Sequence, residues 1–352
     1  MTIETEYPVG CWARAMGHPA VSGKIRSTPE HFRVVEQLSF EPSGEGEHIF
    51  LFIEKRETNT DWLARQLAAH AGVATRDIGY AGMKDRHAVT SQWFSVYLAG
   101  KSELDWTVLN SESVKVLKCV RHQRKLKRGA LTGNHFDITV TDLKGNIETL
   151  LQRLETIRTR GVPNYFGEQR FGRGGKNIEN ALAMFSGRGR PKRSQRSIYL
   201  SAARSWLFNE ILNVRIQESN WQRVMTGDVL MLAGSHSVFV AEQNELAALQ
   251  QRLDEHDLSI SGPLAGRGGI ACEGDAASLE QIVLNRYPDL TQGLQAAGLE
   301  QARRPFTVWP ENLQWEIDDR TLTLQFFLPA GSYATALLRE IIEYDQAEQI
   351  SE

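Results

Sequence analysis

Two segments with the alternating pattern of β-strands lie far apart in the chain, and a mostly helical interval separates them. In NHFDITVTDL, apolar Phe136, Ile138 and Val140 alternate with polar residues, and TLTLQFFL repeats this pattern near the C-terminus. A period of two is typical of strands that bury one face. Helical patterns and loops rich in glycine and arginine fill the interval, so we predict an insertion into one domain whose last strands come from the C-terminal part. The predicted domains are 1–160 together with 306–352, and the inserted 161–305.

The N-terminal half gives a readable order of elements. HIFLFIEK at 48–55 has the length and apolar character of a strand, and NTDWLARQLAAHAG follows as a helix that Asn59 or Thr60 caps and Gly72 ends. TSQWFSVYL is rich in aromatic and β-branched residues and predicts the next strand. Asp85 would therefore lie on a loop between a helix and a strand. At the other end, GSYATALLREIIEY predicts a helix from Ser332.

The composition is that of an ordinary globular protein. The chain has 352 residues, of which 41% are hydrophobic and 24% charged. Cys11, Cys119 and Cys272 are too far apart for a CxxC pair, a zinc spacing or a disulfide framework, which favours a reducing compartment. No basic segment followed by a long apolar run opens the sequence, and no run approaches the roughly 18 apolar residues of a membrane span. A cytoplasmic protein is the expectation.

Positive charge is concentrated in two short segments although the net charge is -3. RHQRKLKR and RGRPKRSQR are both rich in arginine. Either could be a solvated loop, but two such clusters on an acidic chain favour a surface for a polyanion, and RNA in particular. The residues predicted to contact RNA are Arg121, Arg124, Lys125, Lys127, Arg128, Arg190, Lys192 and Arg193.

The segment GYAGMKDRH at 79–87 places one carboxylate among basic and titratable neighbours. Its glycines are too close together for a phosphate-binding P-loop, Ser91 lacks a GxSxG context, and His87 has no second ligand cluster for a metal. Cations near Asp85 would favour its ionised form, which suits a nucleophile or a base better than a general acid. The plainer alternative is an aspartate in a loop salt bridge.

GYAGMKDRHAVTSQWF resembles the catalytic motif of the tRNA pseudouridine synthase D (TruD) family. Other segments resemble that family's signatures in the same order along nearly the whole chain: STPEHFRVVE, RHQRKLKRGALTGNHF, GVPNYFGEQRFG, SAARSWLFN, GDVLMLAG and LPAGSYATALLRE. The resemblance implies an α+β (mixed α/β) fold, with a pseudouridine synthase catalytic domain built on a mixed, largely antiparallel sheet. It also implies an inserted, largely helical α/β domain that is specific to the family.

The resemblance also implies an activity: isomerisation of uridine to pseudouridine in tRNA, at uridine 13, without a cofactor. It assigns the catalytic role to Asp85, and a flipped base would meet Asn134 and Phe136 of the GNxF motif. Lys84 and Arg339 are candidates for the cation that keeps Asp85 ionised. The expected substrate-binding residues are Arg26, Phe32, Lys84, Asn134, Phe136 and Arg339.

The sequence departs from the family pattern at two positions. Arg26 stands where the family has a lysine and His31 where it has an aspartate, while Glu30 and Phe32 fit. The first change keeps a cation but replaces a point charge with a planar group. The second puts any role of that carboxylate in doubt.

The sequence leaves two other classes of function open. A non-catalytic tRNA-binding protein on the same fold would keep both basic clusters but would have no need of Asp85. A hydrolase or other small-molecule enzyme would need neither cluster. The expected partner is tRNA, with no membrane and no obligate protein partner, and the expected state is a monomer.

Overall fold

The computed structural model describes residues 7–100, 103–269 and 271–346. Their contacts group into two compact units. We call 20–151, 310–331 and 342–346 the sheet unit, and 7–19, 152–309 and 332–341 the helical unit. These boundaries differ from the predicted domains, because 7–19 and 332–341 pack with the inserted interval. The division into a catalytic and an inserted domain stays a prediction.

The described residues form sixteen strands and eight α-helices. The strands are β1 Val21–Ile25, β2 Phe32–Leu38, β3 His48–Arg56, β4 Ile78–Tyr80, β5 Val89–Tyr97, β6 Val114–His122, β7 Leu131–Gly145, β8 Val162–Pro163, β9 Val229–Leu232, β10 Val238–Val240, β11 Leu258–Leu264, β12 Ala302–Pro305, β13 Thr307–Val308, β14 Glu311–Asp318, β15 Thr321–Pro329 and β16 Glu343–Gln346. The helices are α1 Thr60–Ala71, α2 Ile147–Arg160, α3 Lys176–Phe185, α4 Arg193–Gln217, α5 Leu246–Asp254, α6 Gly274–Arg286, α7 Pro288–Ala296 and α8 Ala334–Ile341.

A ten-stranded sheet forms the sheet unit. Its main path runs β14-β15-β7-β2-β5-β3-β6, with β4 beside β5 and with β1 between β7 and β16. Only the β2–β5 and β1–β16 pairs are parallel among the described strands. The mixed α/β fold with a mixed, largely antiparallel sheet is therefore confirmed.

The two alternating segments of the sequence are direct neighbours in this sheet. Phe136, Ile138 and Val140 are buried as their alternation predicts. In the register of β15 against β7, Phe326 lies opposite Phe136, and Leu324 lies opposite Ile138. Strands β7 and β15, which lie before and after the helical interval in the sequence, therefore share one apolar face of the sheet.

Helix α1 covers part of the sheet and follows its sequence signals closely. The Asn59 side chain accepts a hydrogen bond from the Asp61 amide, and Gly72 ends the helix in the left-handed conformation at φ 59°. Leu63 and Leu67 of α1 pack in one cluster with Phe94 of β5. This packing fixes the helix beside the loop that carries Asp85.

The helical unit has a separate core around α4. Trp206, Phe208 and Leu212 of this helix are buried. A four-stranded sheet in the order β10-β9-β11-β12 belongs to the same unit, and β8 pairs with β13. The fold predicted for the inserted interval, largely helical with some strand, agrees with this content.

The C-terminal segment differs from the predicted helix. Helix α8 begins at Ala334 rather than at Ser332, and residues Glu343–Gln346 form a strand instead of continuing it. Strand β16 pairs in parallel with β1, with Glu343 opposite Ser22. Pairing with the edge of β1 provides hydrogen-bond partners for the backbone of Glu343–Gln346, whereas the end of a helix leaves such groups without partners. This explains why the chain changes from helix to strand here.

Within the described residues, no helix is both long and apolar enough to cross a membrane.

Gly133 of β7 supplies a test of the sheet packing. A Cβ atom there would overlap the Leu328 carbonyl oxygen and the Phe327 ring, whereas a Cβ at Gly82 would meet open space. We expect Gly133→Ala to lower the free energy of unfolding by about 1–3 kcal/mol through overpacking. Gly82→Ala is the matched control and should change it far less. Equal values for the two variants in urea unfolding would contradict the close approach of β7 to β15.

Candidate active site

Asp85 lies on a loop, as the sequence predicts, but this loop joins the short strand β4 to β5 rather than a helix to a strand, and an arginine pairs with Asp85. Its Oδ2 atom is 2.7 Å from Nη2 of Arg26, and its Oδ1 atom accepts a hydrogen bond from the His87 amide at 3.1 Å. The side chains of Arg26 and Asp85 are only 11% and 17% exposed. The pair is therefore shielded from water much more than a surface salt bridge, and Coulomb attraction within it is correspondingly stronger.

Arg26 adopts an unusual backbone conformation directly after β1. Its φ angle is 57°, in the left-handed region that residues other than glycine seldom occupy. The guanidinium carbon lies 4.1 Å from the centre of the Phe32 ring. Strained residues of this kind cluster at functional sites, where surrounding contacts hold them in place. Here the ion pair with Asp85 and the ring of Phe32 provide those contacts.

Buried polar side chains fasten the loop of Asp85 to the sheet and to α1. Lys55 Nζ donates to the backbone carbonyls of Thr58 and Asp85, at 2.6 and 3.1 Å. Thr60 Oγ1 accepts from the Lys84 amide at 3.3 Å and donates to Gln92. Gln92 in turn donates to the Gly82 carbonyl at 3.2 Å. The loop is thus held at several backbone points.

Lys55 is fully buried, although its ammonium is charged in water. Burial lowers the pKa of Lys55 from 10.5 to about 8, and the nearby Asp85 carboxylate partly opposes this shift. At pH 7 the group remains mostly protonated and can donate to both carbonyls. Desolvation of this charge costs free energy, but the hydrogen bond from Lys55 fixes the position of the Asp85 backbone.

Lys84 directly precedes Asp85 in the chain, and its ammonium pairs with the Glu36 carboxylate, while a contribution of Lys84 to the charge state of Asp85 stays a prediction. Its Nζ atom lies 2.7 Å from Glu36 Oε2 and 2.6 Å from Asn134 Oδ1, and the ion pair with Asp85 belongs to Arg26 instead. Glu36 is buried and its other oxygen accepts from the Trp93 amide. Because Glu36 lies opposite Asn134 in the pairing of β2 with β7, the sheet register directs Lys84 toward these two residues.

The aromatic candidates are packed into the sheet. Phe136 is 9% exposed and stacks on Phe326, with ring centres 5.3 Å apart and an interplanar angle of 20°. Phe32 meets the edge of Phe136 at 6.3 Å. The alternating pattern already predicts this core position, and a second role for Phe136 in stacking a base stays a prediction.

Arg339 lies in the helical unit, on α8. Its guanidinium donates to the carbonyls of Trp12 and Ala13 and lies 5.0 Å from the centre of the Tyr165 ring. These contacts give it a structural function within its own unit. A contribution to the charge state of Asp85 stays a prediction.

The two basic clusters lie in different units, and most of their cations are exposed. In the first, Arg121 pairs with Glu103 at 3.3 Å, while Arg124 and Lys127 are exposed. In the second, Arg190 and Lys192 are exposed just before α4, and Arg193 is the first residue of that helix. Cations are disfavoured at this end of a helix dipole. A bound anion would remove that penalty.

Two further features of the described residues concern metal binding and His31. In the part of the chain that the structure describes, no group of three or more His, Cys, Asp or Glu side chains could hold a metal ion. His31 follows Glu30, which pairs with Arg56 at 2.6 Å. The Nδ1 atom of His31 is buried without a hydrogen-bond partner.

Lys55 and Glu36 are the site residues that sequence reasoning missed. The sequence pattern could have identified them, since each lies at a position whose side chain points to the buried face of its strand. Lys55 follows Leu51 and Ile53 at intervals of two, and Glu36 follows Phe32 and Val34 in the same way. A charged residue in the buried phase of a strand usually has a partner or a function.

Comparison with known proteins agrees with this architecture. The family model described as tRNA pseudouridine synthase D (TruD) matches residues 9–182 and 175–341. A tRNA pseudouridine synthase D from Aeromonas salmonicida is 48% identical over 94% of both chains, and one from Methylococcus capsulatus is 47% identical over 94% of both. A crystal structure from Methanosarcina mazei, of a candidate tRNA pseudouridine synthase D, has a TM-score of 0.70 at 21% identity and covers 97% of this chain and 98% of its own.

The family model and these relatives cover nearly the whole chain, and the solved structure shares its mixed α/β fold. The chain belongs to the tRNA pseudouridine synthase D (TruD) family.

The lowered pKa of Lys55 predicts a pH-dependent stability. The folded pKa of about 8 lies below the unfolded value of 10.5, so the unfolded chain binds more protons between these values and stability rises with pH. Relative to Lys55→Met, the parent protein should gain about 2–3 kcal/mol of unfolding free energy between pH 7 and 10. Urea unfolding at several pH values measures this difference. Exposed Lys115→Met is the control, and a difference for Lys55→Met that does not change with pH would contradict the assignment.

Proposed function

We propose that this protein is a tRNA pseudouridine synthase that converts uridine 13 of tRNA to pseudouridine, with Asp85 as the catalytic aspartate. The names of its relatives at 47–48% identity support the reaction and the class of substrate. The observation that carries the residue assignment is the geometry of Asp85. Its carboxylate faces Arg26 at 2.7 Å on a loop that buried side chains hold in place.

The reaction is an isomerisation and needs little beyond one well-placed carboxylate. The bond between C1′ and N1 breaks, the uracil turns over, and C5 becomes bonded to C1′. The hydrogen on C5 leaves as a proton while N1 gains one. An ionised Asp85 could attack the sugar, attack the base or remove a sugar proton, and each of these steps uses an oxygen of the carboxylate that pairs with Arg26.

The neighbours of Asp85 supply groups that suit a flipped uridine. Lys84 binds Oδ1 of Asn134, so the Asn134 amide is oriented with its two N–H donors away from Lys84. These donors can meet a uracil carbonyl, and hydrogen bonds to the polar edge help to offset the cost of unstacking the base. Phe136 and Phe32 supply aromatic surface beside them. The proposal includes Arg26 and Arg339 as further contacts of the substrate.

Binding of the whole tRNA is assigned to the exposed basic clusters. The cations are Arg121, Arg124, Lys125, Lys127 and Arg128 in the sheet unit, and Arg190, Lys192 and Arg193 in the helical unit. Contacts between such side chains and phosphates give affinity that depends on salt. The proposed division is a catalytic domain of 1–160 and 306–352 and an insertion domain of 161–305. The protein is proposed to act in the cytoplasm as a monomer without an obligate protein partner.

The central residue is tested by Asp85→Asn, which keeps the shape of the side chain and removes its charge. Single-turnover release of tritium from C5-labelled uridine in tRNA should fall by at least a factor of about 1,000, which corresponds to about 4 kcal/mol of barrier. The affinity for tRNA should remain. His87→Ala is the control because it keeps the His87 backbone amide that donates to Asp85, and it should stay active. Turnover by Asp85→Asn at the parent rate would refute the role of Asp85.

The ion pair is tested by two substitutions at Arg26. Arg26→Gln removes the cation and should lower the single-turnover rate by about 100-fold or more, because the carboxylate loses its shielded counter-charge. Arg26→Lys restores a cation and should recover most of that loss. Thermal unfolding of both variants checks that the fold persists. Equal rates for the two variants would show that the charge of Arg26 does not act on Asp85.

A further inference from the structure

A cavity of about 480 Å³ opens beside the segment that leads into the loop of Asp85. One wall is a face of α1, where Asp61, Ala64 and Arg65 follow one another at helical spacing. The opposite wall is the connection from Lys125 to Arg128, and Tyr80 of β4 contributes between them. The volume lies within the range of about 300–1,000 Å³ that is common for small-molecule sites and would admit one nucleotide.

The cavity has a strong excess of positive charge. Four of its lining residues are cationic, namely Arg65, Lys125, Lys127 and Arg128, against the single carboxylate of Asp61. That carboxylate already accepts a hydrogen bond from the Tyr80 hydroxyl at 2.6 Å. Among the residues that the structure describes, none of the four cations forms an ion pair with a carboxylate. Their mutual repulsion favours an anionic occupant.

The basic wall is fixed in place before any ligand arrives. Leu126 is buried in a cluster with Phe50 and Trp93, and its amide donates to Ser95 Oγ at 2.9 Å. The Gly129 amide donates to the carbonyl of Ala81 at 2.8 Å. These contacts hold the connection on both sides of Lys127 and Arg128. A site with a rigid wall loses little conformational entropy on binding.

The guanidinium of Arg128 lies over the Tyr80 ring at the cavity. The guanidinium carbon of Arg128 is 4.9 Å from the centre of the Tyr80 ring, and Arg128 Nη2 donates to the Tyr80 hydroxyl at 3.0 Å. Aromatic rings and guanidinium planes are the groups on which proteins stack unpaired RNA bases. The cavity therefore combines cations for a phosphate with a surface for a base.

We propose that this cavity binds a second, unpaired nucleotide of the same RNA substrate, apart from the uridine at Asp85. Lys125, Lys127 and Arg65 contact its phosphate, and the Tyr80–Arg128 surface contacts its base. The proposal rests on the proposed action on tRNA. Because Tyr80 and Ala81 lie directly before the catalytic loop, occupation of the cavity also stabilises the chain segment from which Asp85 extends.

The test uses the full chain and measures tRNA affinity by filter binding over a range of salt concentrations. In Arg65→Ala/Lys127→Ala, affinity at low salt should fall by about tenfold or more, and the slope of log Kd against log salt should shrink by about one, because the two side chains contact one phosphate. In Tyr80→Leu, affinity should fall by about fivefold or more with an unchanged slope, because stacking involves no counterion. Tyr80→Phe keeps the ring but loses the hydroxyl that contacts Arg128 and Asp61, so it should recover most of the affinity that Tyr80→Leu loses. Lys115→Ala removes an exposed cation elsewhere on the sheet unit and should change neither quantity.

Three results would overturn the proposal. If the double variant has the affinity and the salt slope of the parent protein, the cavity does not take part in RNA binding. If the double variant loses tRNA affinity but Tyr80→Leu does not, the cavity contacts only a phosphate of the RNA and does not bind a base. If the double variant loses binding of uridine monophosphate, measured by calorimetry, but keeps its affinity for tRNA, the cavity serves a free nucleotide instead.

This test is separate from the test of the proposed activity. Affinity is measured without turnover, so a parent protein that releases no tritium refutes the synthase activity and leaves the binding data interpretable. An active parent with unchanged affinity in the cavity variants refutes only the second nucleotide site.

Discussion

The ion pair between Arg26 and Asp85 is the interaction around which the candidate site is arranged. It joins two loops that the sheet brings together, one after β1 and one between β4 and β5. Strand β1 is held on both edges, by β7 and by β16, and this fixes where Arg26 emerges. The left-handed backbone of Arg26 is then tolerated because its guanidinium is paired with Asp85 and covered by Phe32.

A buried polar network surrounds this pair inside a largely apolar sheet. Lys55, Glu36 and Gln92 are fully or almost fully buried, and each binds the loop of Asp85 or its neighbour Lys84. Such groups are costly to desolvate and contribute little net stability compared with apolar residues of the same size. Their benefit is positional: a carboxylate that must meet one atom of a substrate needs neighbours with few alternative arrangements.

Local patterns in the sequence were sufficient for most of the fold around the site. The alternation at Phe136, the caps of α1 and the loop position of Asp85 all reflect interactions within a few residues, and the structure agrees with them. The partner of Asp85 could not be found in this way. Lys84 is its neighbour in the chain, yet in the folded sheet the Lys84 ammonium pairs with Glu36. Asp85 pairs with Arg26, which lies 59 positions away in the sequence.

The proposed activity of this site is the isomerisation of one uridine of tRNA. It is tested most directly by incubating the purified protein with an unmodified tRNA transcript that carries uridine at position 13, and then mapping pseudouridines by carbodiimide treatment and primer extension. We expect a new stop that reports pseudouridine at position 13 and at no other uridine. A transcript that remains unmodified, or one modified at a different position, would contradict it.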